Sequence, residues 1–169
     1  MMNVDYELLK ESDLEELLAL YLDSNFILGY GEIEEAKKDY QSLLTWYKQN
    51  QMSKEEVYYS IWLDDKKSWA GFVSLTDFEE NEKEAWLSLG IKPTFWGQGI
   101  GTKILKQFIQ DSFINHDLKT IRLSVFAKNR RALSLYLKLG FEIEWIYHKY
   151  QAPYYLADDI YQLYLNKRD

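Results

Sequence analysis

Two hydrophobic periods alternate along the chain. Val57 to Leu63, Trp69 to Thr76 and Trp86 to Ile91 are short apolar-rich runs, with Leu87, Leu89 and Ile91 in strict alternation. They are separated by the polar stretches Asp64-Asp65-Lys66-Lys67 and Glu79-Glu80-Asn81-Glu82. Runs of this period bounded by turn residues predict strands, here an antiparallel meander. Upstream, Tyr6 and Leu8 mark a short strand, and Ser12-Asp13-Leu14-Glu15 is a capping-box pattern ahead of the helical stripe Leu14, Leu17, Leu18 and Tyr21. Asn25 to Gly31 reads as a loop, and Ala36, Tyr40, Leu43, Leu44 and Tyr47 predict a second amphipathic helix.

Past the meander, Pro93 ends the strand pattern. Ile100, Ile104, Leu105, Phe108 and Ile109 then recur at helical spacing, Ile121 to Phe126 is a further strand, and Asn129 to Gly140 is a helix with an N-cap asparagine and a C-terminal glycine. Two strands close the chain, Glu142 to Tyr150 and Asp159 to Leu165, joined by an aromatic loop Gln151-Ala152-Pro153-Tyr154-Tyr155. No repeat or linker interrupts this order, so residues 1–169 are expected to form one domain. The element order is β-α-α-β-β-β-α-β-α-β-β: about seven strands in a mixed, mostly antiparallel sheet flanked by about four helices.

Three glycines lie between the strand ending at Ile91 and the helix that follows, in Trp96-Gly97-Gln98-Gly99-Ile100-Gly101-Thr102. A helix N-terminus gathers unpaired backbone N–H groups and the positive end of the helix dipole. Glycine lets an anion approach that backbone closely, so a phosphate-bearing ligand is the expected occupant. The spacing is not that of a P-loop, and Gly97-Gln98-Gly99-Ile100-Gly101 is GxGxG rather than the GxGxxG of a dinucleotide fold.

The loop resembles the (Arg/Gln)-x-x-Gly-x-(Gly/Ala) signature of the GNAT superfamily of acetyl-coenzyme A-dependent N-acyltransferases. Trp96 departs at the first position, which resembles the ribosomal-protein N-acetyltransferase branch and its relatives. Asn129-x-x-Ala132-x-x-x-Tyr136-x-x-x-Gly140-Phe141 is similar to the second GNAT signature at family spacing. Read alone, Asn129 is a plain N-cap and Tyr136 a core tyrosine.

The resemblance implies the GNAT fold, an α/β arrangement of the α+β type, and direct acetyl transfer from acetyl-coenzyme A to an amine in a ternary complex. It implies that Gly97, Gln98, Gly99, Ile100, Gly101 and Thr102 hold the pyrophosphate through backbone N–H groups. The edge of Leu89, Gly90 and Ile91 would pair with the pantetheine arm, Asn129 would bond that arm, and Tyr136 would protonate the leaving thiolate. Gly90 inside a strand marks a bulge or merely a flexible strand; in the family a bulge there opens the cofactor cleft. The general base is open between Glu84, also readable as a solvated hairpin carboxylate, and His148, also readable as structural. Neutralising a lysine-like amine at pH 7 costs about 4.6 kcal/mol against about 1 kcal/mol for an α-amine, so a weakly based site favours α-amines.

Composition narrows the partners. Twenty-seven acids against twenty bases give a net charge of −7, with the bases scattered. That argues against nucleic acid and fits either plain solubility or a cleft that attracts a cationic amine. With no cysteine and two histidines, neither a disulfide nor a metal site is expected. No leader pattern or membrane-length apolar run is present, which predicts a cytoplasmic protein without a membrane partner, as a monomer or homodimer. The acceptor is left open among a protein N-terminus, a polyamine, an amino acid and an aminoglycoside. Alternatives of another class are a non-catalytic coenzyme A-binding module on the same fold and an aromatic-looped interaction domain.

Overall fold

The computed structural model describes residues 2–149 and 158–169. Its elements are β1 (Val4–Leu8), α1 (Leu14–Tyr21), α2 (Ser24–Tyr30), α3 (Tyr40–Asn50), β2 (Val57–Leu63), β3 (Ser68–Glu79), β4 (Glu84–Ile91), α4 (Ile100–Asn115), β5 (Thr120–Phe126), α5 (Arg130–Lys138), β6 (Glu142–Tyr147) and β7 (Ile160–Asn166). One seven-stranded sheet runs in the order β1-β2-β3-β4-β5-β7-β6. All neighbours are antiparallel except β4 and β5, whose parallel pairing requires the α4 crossover.

Alternation along the strands divides the core between the two faces of the sheet. Val73 and Leu75 of β3 join Ile104, Leu105 and Phe108 of α4, together with Tyr136 and Phe141, in one cluster. Phe72, one residue out of phase, joins Tyr58 with Leu14 and Leu17 of α1 and Leu43 and Tyr47 of α3 in the other. The second cluster encloses a polar relay: Trp69 Nε1 donates to Ser60 Oγ at 2.9 Å, and Ser60 Oγ donates to Asp13 Oδ2 at 2.8 Å. Asp13 is therefore committed to the core.

Three sequence expectations change. The stretch expected to be a loop, Asn25 to Gly31, is mostly the helix α2, so five helices flank the sheet rather than about four. Asp23 caps it by accepting from Phe26 N at 3.0 Å, Gly31 ends it at φ 112°, and buried Phe26 anchors it. The helix expected from Ala36 begins at Tyr40, where Asp39 accepts from Ser42 N at 2.9 Å, after a separate turn at Glu35–Lys37. β6 ends at Tyr147, and the expected aromatic loop lies outside the described residues.

Gly90 makes no bulge against β3. The ladder passes through Phe72↔Gly90 in register, and the register shift falls between Thr76 and Glu79. Glycine is needed there for space: a Cβ on Gly90 would lie 2.4 Å from the Phe72 ring and 3.0 Å from Phe26. Across the ladder, a Cβ on Gly71 would lie 1.9 Å from the Gly90 carbonyl oxygen.

Candidate active site

β4 is bonded to β3 as far as Ile91, but to β5 only at Glu84, Ala85 and Trp86. β5 continues to Phe126 on the β7 side. The two strands therefore part after Trp86, and the β5-facing backbone of Leu87 to Ile91 carries no ladder. A peptide-like ligand can complete such an edge.

α4 points its N-terminus into this opening. Gly99 is its N-cap at φ 77°, Gly97 has the same φ, and a Cβ on either would meet no atom within 4 Å. The first helical bond is Lys103 N to the Gly99 oxygen at 3.1 Å, so the N–H groups before Lys103 have no i−4 carbonyl and are available to an anion. Trp96, at the position where the signature usually carries Arg or Gln, donates its indole N–H to the Ile91 carbonyl at 2.9 Å and ties the loop to the end of β4. Arg131 lies 3.7 Å above the Trp96 ring.

α5 supplies the opposite wall. Asn129 Oδ1 accepts from Ala132 N at 3.3 Å, and its Nδ2 donates to the Gly29 carbonyl at 3.1 Å, so one amide caps α5 and holds α2 against it. A second N–H and a second lone pair of this amide remain for a ligand. At the other end, Phe141 N donates to the Tyr136 carbonyl and Gly140 N to the Leu137 carbonyl, both at 3.1 Å, with Gly140 at φ 100°. This is a Schellman closure, and its hydrophobic contact is the Tyr136–Phe141 ring pair at 5.8 Å. The Gly-Phe of the signature thus holds Tyr136 in place. Burial pushes the Tyr136 hydroxyl well above its ordinary range, and it stays protonated at neutral pH.

Three hollows adjoin here. The first, about 330 Å³, is lined by Leu89, Ile91, Gly97, Gly99 to Thr102 and Tyr136, with Arg131 and Lys138 as its charged residues among those described. A second of about 270 Å³ shares Leu89, Asn129 and Tyr136 with it and reaches Ser88. The third, about 290 Å³, includes Ser88 and holds Glu32, Glu34, Glu56 and Asp77 against Lys37, the single cation among the described residues that line it. Tyr30 lines all three, and burial raises its hydroxyl too.

Most of the expected site residues meet in this hollow: Leu89, Ile91, Gly97, Gly99, Ile100, Gly101, Thr102, Asn129 and Tyr136. Gln98 points elsewhere, its Nε2 on the Thr94 carbonyl at 3.4 Å, and Gly90 faces Phe72 and Phe26. Glu84 sits at the sealed end of β4 in an ion pair with Arg122, which also bonds Glu144 at 2.7 Å. His148 is 3.4 Å from Asp159. Neither Glu84 nor His148 is among the described residues lining the three hollows. The acidic hollow, Tyr30 and the Arg131–Trp96 pair escape a sequence reading. Among the described residues no cluster of acids and histidines could hold a metal ion, and no helix is long and apolar enough to cross a membrane.

Comparison with known proteins bears on the fold and the family. Spermidine N(1)-acetyltransferase of Escherichia coli K12 is 27% identical over 123 residues, which are 73% of this chain and 65% of that protein, so the chain spans about two-thirds of this relative. The uncharacterized N-acetyltransferase YoaA of Bacillus subtilis is 23% identical over 145 residues, 83% of this chain and 80% of that one. The crystal structure of spermidine N-acetyltransferase from Vibrio cholerae in complex with CoA and spermine superposes with a TM-score of 0.85 at 21% identity, over 96% of this chain and 95% of that one. At that identity the superposition establishes the fold. The acetyltransferase (GNAT) domain model matches residues 6–142, and the chain belongs to that family.

Proposed function

We propose that this chain is an N-acetyltransferase that moves the acetyl group of acetyl-coenzyme A to a primary amine of an aliphatic polyamine. The observation that carries the reading is the sign change across three adjoining hollows that share Tyr30. Arg131, Lys138 and the α4 N-terminus sit at one end, four carboxylates at the other, and Tyr30 and Tyr136 between them. An anionic acyl donor and a cationic acceptor fit the two ends.

The residues fit the donor. Open space above Gly97 and Gly99 leaves room for phosphate oxygens at the N–H groups of α4, and the unpaired edge of Leu89 to Ile91 suits an amide-bearing arm. When bound, the thioester supplies an activated acetyl carbonyl. Asn129 orients the arm, and a backbone N–H of β4 polarises the carbonyl. The amine attacks in its neutral form, the C–S bond breaks, Tyr136 gives its phenolic proton to the departing sulfur, and the proton shed by the new amide nitrogen returns to the Tyr136 phenolate. Glu32, Glu34, Glu56 and Asp77 hold the acceptor's remaining ammonium groups, which moves the expectation away from α-amines toward polyamines. The names of the relatives support the same acceptor class.

The test is thiol release from acetyl-coenzyme A with putrescine, spermidine, spermine, an N-terminal peptide and an aminoglycoside as acceptors. Saturable turnover with the aliphatic amines and none with the peptide is the expected result. Heat on titrating acetyl-coenzyme A without turnover of any amine would replace the enzyme by a binding module.

A further inference from the structure

The acidic hollow already holds an ammonium group, and it is the chain's own. Lys37 ends the turn Glu35–Lys37 and is only 9% exposed. Its Nζ lies 4.7 Å from the Trp46 ring centroid, 5.6 Å from that of Tyr58 and 3.9 Å from Glu34 Oε1. The two rings meet edge to face at 86°. Tyr58 lines the hollow and Trp46 packs against it, so the two rings form two walls of a cage of the kind that recognises alkylammonium ligands, with a carboxylate beside it. Lys37 is the only base among the described residues lining a hollow with four acids.

The cage lies a definite distance from the transfer point. Tyr58 pairs with Ser74 and Ser74 with Ser88, so these residues form one row across β2, β3 and β4. Two strand spacings separate the backbones of Tyr58 and Ser88 by about 10 Å. Ser88 lines both the acidic hollow and the hollow that holds Tyr136. An amine whose nitrogen reacts near Ser88 reaches the cage with a third nitrogen, whereas the two nitrogens of a four-carbon diamine are too close together.

We infer that Lys37 is a specificity-determining residue that fills the distal ammonium subsite of the acceptor hollow and thereby disfavours long polyamines. This rests on the acceptor assignment above. A ligand ammonium entering the cage meets a like charge at contact distance and must displace a side chain stacked on Trp46. A diamine avoids both costs and keeps the attraction of the carboxylates.

Lys37→Met keeps an unbranched apolar stem against Trp46 and removes the charge. It is expected to raise the ratio of kcat/KM for spermine to that for putrescine at least tenfold, equivalent to about 1.4 kcal/mol. The KM for acetyl-coenzyme A should stay constant. Lys37→Arg, which keeps the charge, should leave the ratio near the wild-type value. An unchanged ratio in Lys37→Met, or an equal loss with every acceptor, overturns the inference and leaves Lys37 a structural residue. Titration calorimetry of both proteins with spermine and putrescine separates this from the enzymatic assignment. A tenfold gain in spermine affinity alone supports the role of Lys37 even if no amine is acetylated, and equal affinities refute it.

Discussion

The basic and acidic ends of the adjoining hollows are built in opposite ways. The basic end is drawn mainly from two segments, Leu89 to Thr102 and Asn129 to Lys138, and it offers an anion the backbone N–H groups at Gly99 to Thr102. The acidic end depends on side-chain charge. Glu32 and Glu34 follow α2, Glu56 precedes β2, and Asp77 sits at the β3 irregularity with φ 52°. Backbone attraction is the same for any sequence that makes the turn, whereas side-chain attraction changes with each substitution. Donor binding is therefore expected to tolerate change outside the glycines, and acceptor choice to vary with single residues.

The largest effect is expected where the two ends meet. Tyr136→Phe keeps the ring and its contact with Phe141, so stability and both KM values should hold. The phenolic proton is lost. A positioned general acid contributes at least about 10²-fold, or roughly 2.7 kcal/mol in the barrier. Steady-state kinetics should show kcat down about 10²-fold, and turnover within threefold of wild type would reduce Tyr136 to a core tyrosine.

The same contrast explains what a sequence reading reaches. Strand alternation and the two signatures are local patterns, and the structure gathers Gly97, Gly99 to Thr102, Asn129 and Tyr136 around one opening. α2 was hidden because its seven residues include Asn25 and Gly29, both poor helix formers, and its stability comes from the Asp23 cap and buried Phe26. The acidic hollow was hidden because its carboxylates are dispersed in the chain and each reads singly as a solvated charge. The reason for glycine at 90 is not legible in the sequence, because its requirement for space is set by Phe72, across the ladder, and by Phe26, which α2 brings in.

At the basic end, Gly99→Val places a branched side chain where the phosphate is expected and forces it into the left-handed region at φ 77°. The backbone cost, about 1–2 kcal/mol, should appear as lost stability in thermal unfolding. Acetyl-coenzyme A affinity should fall about tenfold with the acceptor KM unaffected; equal affinity in a folded variant would remove the phosphate assignment.

At the acidic end, Glu34→Gln with Glu56→Gln removes two partly screened attractions of about 0.5 kcal/mol each. The polyamine KM should rise about fivefold and the acetyl-coenzyme A KM stay put. Raising the salt concentration should shrink the difference between variant and wild type. A matching change in both KM values would mean that the two ends are not separate sites.

Glu84 is the control for this division, because it is a β4 carboxylate outside the hollow. Its partner Arg122 is held by Glu144 as well, and both members of the pair keep some exposure to water. Glu84→Gln leaves a hydrogen-bond acceptor for Arg122 and deletes one charge, so the stability loss should stay under about 1 kcal/mol. Removing a general base would act differently. It would depress kcat/KM below the acceptor's own pKa, where the amine needs a proton removed, and spare it above, where the amine is already neutral. With Glu84 at the strand end that β5 seals, the pH–rate profile of the variant should overlie that of the wild type within twofold throughout. A selective loss on the low-pH limb would place a carboxylate from the sealed end in the reaction, and the separation of the two ends of β4 would fail with it.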